Sequence, residues 1–93
     1  MTTRNHVNIP SADWVELTEA NASTFTIQNQ GLSIWIRGTS GVAPLVTDTG
    51  GIELPHLGTI ENGYLDEWFQ GDGANRVFAR GISGIGKAYF SYE

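Results

Sequence analysis

The sequence predicts an all-β protein, a small β-sandwich or barrel of about seven short, mainly antiparallel strands. Three observations carry that prediction. Apolar and polar residues alternate with period two in several short runs, the spacing that puts one face of a strand on a core and the other toward water. Turn residues, chiefly Gly with Asn, Asp and Pro, interrupt those runs at intervals of roughly 8 to 12 residues. The 93 residues include 12 Gly, only 16% are charged and 11% are aromatic, a Gly-punctuated composition with an uncharged polar surface.

The first 12 residues read as a polar arm with His6, Val7 and Ile9 as its anchors, ending at Pro10-Ser11. Such a segment is either a frayed end or an arm that drapes over a neighbouring subunit. Residues 13–93 then form a single β-sandwich domain, since a chain of this length makes one core. Asp13-Trp14-Val15-Glu16-Leu17 is the first strand, with Trp14 and Glu16 on one face and Val15 and Leu17 on the other. Thr18-Glu19-Ala20-Asn21-Ala22 is too short for a convincing helix and reads as a turn.

Residues 23–28 and 32–37 alternate strongly and are joined by Asn29-Gln30-Gly31, which reads as a β-hairpin. Phe25 and Ile27 share one face of the first run. Leu32, Ile34 and Ile36 share one face of the second and leave Ser33, Trp35 and Arg37 opposite. Residues 38–51 form a Gly-, Ser-, Thr- and Asp-rich loop, and Pro44 restricts any strand there to an edge or to a start at that residue. Ile52-Glu53-Leu54 is a short strand stopped by Pro55, and the turn-rich stretch 56–63 contains Asn62-Gly63, a strong hairpin signal. Tyr64-Leu65-Asp66-Glu67-Trp68-Phe69 fits a strand or a helix, and its length and aromatic content favour the strand. Gly71-Asp72-Gly73 is a tight turn before the strand Arg76-Val77-Phe78-Ala79-Arg80, and the last strand is Lys87-Ala88-Tyr89-Phe90-Ser91-Tyr92.

The alternation proposes a core of Val15, Leu17, Phe25, Ile27, Leu32, Ile34, Ile36, Ile52, Leu54, Leu65, Phe69, Val77, Ala79, Ala88 and Phe90. A domain this small buries only about 60 to 65% of the surface of its unfolded chain, so small domains commonly add disulfides, a metal or partner subunits. There is no cysteine, which removes disulfides and thiolate metal sites and leaves association as the further source of stability. The net charge of −5, with scattered Arg and a single Lys, works against a nucleic-acid backbone as partner. No stretch has signal-peptide or membrane-spanning character, so the chain is expected to be made in the cytoplasm, with no membrane partner.

Catalytic chemistry finds little support. Gly81-Ile82-Ser83-Gly84-Ile85-Gly86-Lys87-Ala88 matches a phosphate-binding loop up to its last residue, but Ala88 stands where Ser or Thr should hold magnesium and a strand follows where a helix is needed. Its glycines read instead as a hairpin loop supplying positive φ. Asp66 and Glu67 are neighbours and point to opposite faces of a strand, so they cannot converge on one bond. Glu53 and Glu61 offer carboxylates by type alone. His6 and His56 lack a third nitrogen or sulfur ligand for zinc, and Asp72-Gly73-Ala74-Asn75 lacks the regular oxygen spacing of a calcium loop. The expectation is a protein that is not an enzyme and carries no cofactor or metal.

The aromatics remain. Trp14, Trp35, Trp68, Tyr64, Tyr89 and Tyr92 fall where the alternation turns them outward or leaves them ambiguous, and aromatic side chains are enriched at protein interfaces and on sugar-binding platforms. Trp35, Trp14, Trp68, Tyr64, Arg37 and Tyr89 are the expected partner-binding residues.

The succession Trp14-Val15-Glu16-Leu17-Thr18, Thr24-Phe25-Thr26-Ile27-Gln28-Asn29, Ile34-Trp35-Ile36, Ala43-Pro44, Gly51-Ile52-Glu53-Leu54 and Arg76-Val77-Phe78-Ala79-Arg80 resembles small virion structural proteins of tailed bacteriophages. The resemblance runs over residues 14–92 in spacing and residue class. It implies a β-sandwich or barrel module that decorates or cements a capsid, or joins tail components. It further implies synthesis in the host cytoplasm, incorporation into the virion as a homo-oligomer, and contact with the major capsid protein or another virion protein through exposed aromatics and strand edges. A carbohydrate- or receptor-binding module, with Trp35, Trp68 and Tyr64 stacked on sugar, is the second reading.

Overall fold

A computed structural model describes residues 1–69 and 73–93. Among the described residues there are eight strands and one short helix: β1 (Thr2–Ile9), β2 (Val15–Glu16), β3 (Thr24–Asn29), β4 (Ile34–Thr39), β5 (Ile52–Leu54), β6 (Thr59–Tyr64), α1 (Leu65–Trp68), β7 (Arg76–Gly81) and β8 (Gly86–Tyr92). The strands form two four-stranded antiparallel sheets, β1-β8-β3-β6 and β2-β7-β4-β5, packed face to face as a sandwich. The alternation read from the sequence is the alternation observed: β3 buries Phe25, Ile27 and Asn29, and β4 buries Ile34, Ile36 and Gly38.

Between the sheets, Phe25 stacks with Phe69 and Phe90 at 5.9 and 6.2 Å between ring centroids, and Phe90 tilts against Tyr92 at 5.9 Å. Ile9, Ile27, Ile34, Ile36, Val77, Ala79 and Ala88 fill the rest without exposed surface. Val15 and Ile52, expected inside, are partly buried and pack against this cluster from its margin. Leu32 is a correction: it precedes β4 and is 53% exposed, because the chain is still turning there and the alternation has not begun.

The largest correction concerns residues 23–37. They do not form a hairpin, because β3 pairs with β6 and β8 while β4 pairs with β5 and β7 in the other sheet. The chain crosses between sheets at Asn29, which is fully buried. Its amide donates to the carbonyls of Leu32 and Leu54 at 2.9 and 2.8 Å, and its Oδ1 accepts from the Gly31 N–H at 2.9 Å. Its backbone N–H donates to Gly58 and its carbonyl accepts from Leu57, at 2.9 and 2.7 Å. A buried polar side chain is tolerated only when so satisfied, and this one replaces the ladder bonds a hairpin would have made. Asn-containing turns look alike in sequence whether the next strand folds back or crosses over.

Three further expectations change. Residues 2–9, read as an arm, are the edge strand β1, held to β8 from Thr2↔Tyr92 to Ile9↔Gly86, with Val7 and Ile9 buried. The period is obscured by a bulge between Arg4 and Val7, where His6 has φ 56°. Asn62-Gly63 is not a turn either: Asn62, at φ 50°, forms a bulge inside β6 and donates its N–H to Thr26 Oγ1 at 3.0 Å. Both edges of the first sheet are therefore bulged, a feature that discourages edge-to-edge pairing. Finally, Leu65–Trp68 is a helical turn and not a strand, and it drops Leu65 and Phe69 into the core together.

The loop after β7 is also a sheet crossing, since β7 and β8 lie in different sheets. None of its glycines has positive φ. They are there for close approach, as a Cβ on Gly86 would meet Ile34 Cγ2 at 2.5 Å and one on Gly81 would run into the Gly84 carbonyl. The Asp72 turn, and any calcium chemistry it offers, lies outside the described residues.

Asn29→Ala is expected to lower stability by about 2–4 kcal/mol by leaving the Leu54 carbonyl and Gly31 N–H unpartnered, read as a shifted urea midpoint. Asn29→Asp should fare no better, because a carboxylate cannot donate to two carbonyls.

Candidate functional site

The six residues expected to bind a partner do not share one face. Trp14, Trp35 and Arg37 lie on the outer face of the second sheet, Tyr89 lies on the outer face of the first, and Tyr64 and Trp68 sit where β6 passes into α1. Trp14, expected outward, is only 8% exposed, because the long β4–β5 connection, residues 40–51, folds back over the outer face of its sheet. Its indole Nε1–H donates to the Asp48 carbonyl at 3.1 Å, and the Arg37 guanidinium stands 5.7 Å from its ring centroid while facing the Asp48 carboxylate at 3.5 Å.

Arg80 completes the clasp. It donates to the carbonyls of Val46 and Asp48 at 2.6 and 3.1 Å and to that of Ser11 at 3.0 Å, tying the loop to the β1–β2 connection. Phe78, level with Glu16 and Arg37 in the sheet, is also buried, although the alternation turned it away from the core. Trp35, paired with Arg80 and Glu53 on its two flanks, remains partly buried and is not a bare platform. The loop turns Val42, Leu45 and Val46 to solvent instead.

One end of the sandwich has a different character. Three connections between the sheets meet there, residues 30–33, 55–58 and 82–85, and each carries one exposed aliphatic: Leu32 at 53%, Leu57 at 61% and Ile85 at 69%. Hydrogen bonds tie the connections together: His56 Nδ1 lies 2.9 Å from the Gly31 carbonyl, Gln30 N–H donates to Lys87 at 2.7 Å, and Ile82 N–H donates to Ser33 at 3.2 Å. Leu57 also has φ 66°, a left-handed conformation that costs an L-residue with a bulky side chain about 1–2 kcal/mol. Covering the exposed parts of all three side chains would contribute about 3 kcal/mol to a contact. This tip was missed because strand periodicity assigns no role to Leu57 between His56 and Gly58, or to Ile85 between Gly84 and Gly86. Large aliphatics inside turn signals were the available clue.

The opposite end holds a cleft of about 560 Å³ between the end of β4 and α1, lined by Arg37, Gly38, Thr39, Ser40, Trp68 and Phe69 among others. Trp68 is 43% exposed and rests on Gly63, and Tyr64 beside it is 54% exposed. Asp66 and Glu67 fall in the single turn of α1, both exposed. Among the described residues no group of three or more His, Asp or Glu is arranged to hold a metal, and no helix is long and apolar enough to cross a membrane. No protein-family model matches the chain, and neither a curated protein nor a solved structure matches it.

Arg80→Met should release the loop without unfolding the sandwich. Limited proteolysis is expected to cut within residues 40–51 faster than in the parent, with the unfolding free energy changed by less than about 1 kcal/mol.

Proposed function

We propose that this chain is a non-enzymatic structural subunit of a tailed-phage virion, a capsid decoration or cementing protein that docks on the major capsid protein and on its own copies. It is made in the host cytoplasm and ends up in the particle. The reading draws on the resemblance over residues 14–92, on the sandwich fold, and on one observation above the others. Leu57 holds a large apolar side chain in water from a left-handed backbone position, where Asn or Gly would be less strained. The crossing fixes that backbone conformation, but nothing in the isolated fold needs a large apolar side chain on it, and such a side chain exposed at a strained position supports a contact surface. Leu32 and Ile85 extend that surface, and the hydrogen-bonded connections beneath it keep the ordering cost of docking low. The expected role of Trp35 passes to this tip, while Trp14 and Arg37 serve the loop clasp.

A carbohydrate-binding module is the second reading, and the cleft favours it: Trp68 offers a partly exposed ring, with the exposed Ser40 among the residues that line the same cleft. Under that reading Trp68 carries binding and Leu57 does not.

Leu57→Asn separates the two effects. The variant should be at least as stable as the parent, because Asn tolerates the left-handed region, yet co-sedimentation with capsids lacking the protein should fall by about tenfold or more. Undiminished capsid binding by a folded Leu57→Asn protein would falsify the docking role of the tip.

A further inference from the structure

A lysine at the tip of the sandwich and an acidic pair at its other end are each left without an ion pair among the described residues. Lys87, the chain's only lysine, opens β8 at the tip, exposed and with no ion pair among the described residues; His56 is exposed beside it. Asp66 and Glu67 stand exposed on α1 at the other end, also without ion pairs among the described residues, next to the exposed rings of Tyr64 and Trp68. The acidic side chains nearest that end that do have partners, Glu16 and Glu19, are already matched to Arg76 and Arg4. Within one molecule the two unmatched sets cannot meet, because the length of β8 lies between them, about 20 Å at strand rise.

We propose that the tip of one copy docks on the Tyr64–Trp68 end of the next, Lys87 facing Asp66 and Glu67 while Leu32, Leu57 and Ile85 cover the two aromatic rings. The contact is heterologous, so it builds a ring or an open stack and not a two-fold dimer. It rests on the docking reading of the tip and names a second copy of the chain as the tip's occupant. Aliphatics against aromatics supply the apolar centre, and the charge pairs at the rim set orientation.

Sedimentation of the intact chain from micromolar to millimolar concentration tests it. The parent should self-associate, more weakly as salt rises. Lys87→Glu alone, and Asp66→Lys with Glu67→Lys in one chain, should each weaken self-association by about tenfold. An equimolar mixture of the two should restore it, since in alternating copies every contact joins opposite charges, one the native pairing and the next the fully reversed one. A monomeric parent, or an acid-to-lysine variant that associates as the parent does, overturns the head-to-tail contact. Leu57→Asn keeps the outcomes apart. If the parent is monomeric and this variant still loses capsid binding, the second copy is wrong and the docking tip stands. If the variant binds capsids undiminished, the docking reading falls and this contact falls with it.

Discussion

The buried amide of Asn29 is the interaction on which the rest of the architecture depends. It lies where β3 leaves one sheet and the chain turns toward β4 in the other, and it binds the carbonyls of Leu32, just before β4, and Leu54, at the end of β5, while holding the Gly31 N–H. Its own backbone groups engage Leu57 and Gly58, so the β5–β6 crossing is fastened to the β3–β4 crossing at one residue. A sandwich whose successive strands alternate between sheets has few same-sheet hairpins to set its register; of the connections here only β4–β5 stays within a sheet. Fixing the crossings therefore does the work that tight hairpin turns do elsewhere. In a fully buried position an amide can do this because it both donates and accepts, which neither a hydroxyl nor a carboxylate can match at three sites.

The same crossings make the surface. Because the connections converge at one end, side chains that would be scattered on separate hairpins are gathered into a hydrogen-bonded tip, with Leu57 held in its strained conformation by the bonds around Asn29 and Gly58. The broad outer face of the second sheet is spent differently. Arg80, Arg37 and Asp48 draw the long loop across Trp14, so aromatics that look like a platform along the strand serve as the floor of a second, smaller packing layer. The cationic residues of that face are committed to carbonyls and one carboxylate, and this leaves Lys87 as the free cation near the tip among the described residues.

Period-two alternation made the strands and most of the core legible, because burial on one face is what selects the alternation: Phe25, Ile27, Ile34, Ile36, Val77, Ala79, Ala88 and Phe90 are inside as read. Three kinds of information were not in that pattern. Bulges at His6 and Asn62 break the period, which hid β1 and disguised a bulge as a turn. Partner choice between strands is a long-range matter, so Asn29-Gln30-Gly31 could not announce a crossing. Cover by a distant loop is invisible to local alternation, which is why Trp14 reads as outward and is buried. Of the surface residues, Tyr64 and Trp68 are exposed as expected, Trp35, Arg37 and Tyr89 are partly buried, and the tip had no periodic signature.

Native-state amide hydrogen exchange at Gly31 and Leu57 tests the central claim most directly. Both N–H groups donate to Asn29, the first to its side chain and the second to its carbonyl. If Asn29 joins the crossings into one unit, both amides should exchange only through global unfolding, with the protection of the β3 and β8 core amides. Exchange of Gly31 and Leu57 through a local opening, at rates well above those of the core, would show that the sandwich stands without this corner and would contradict the account.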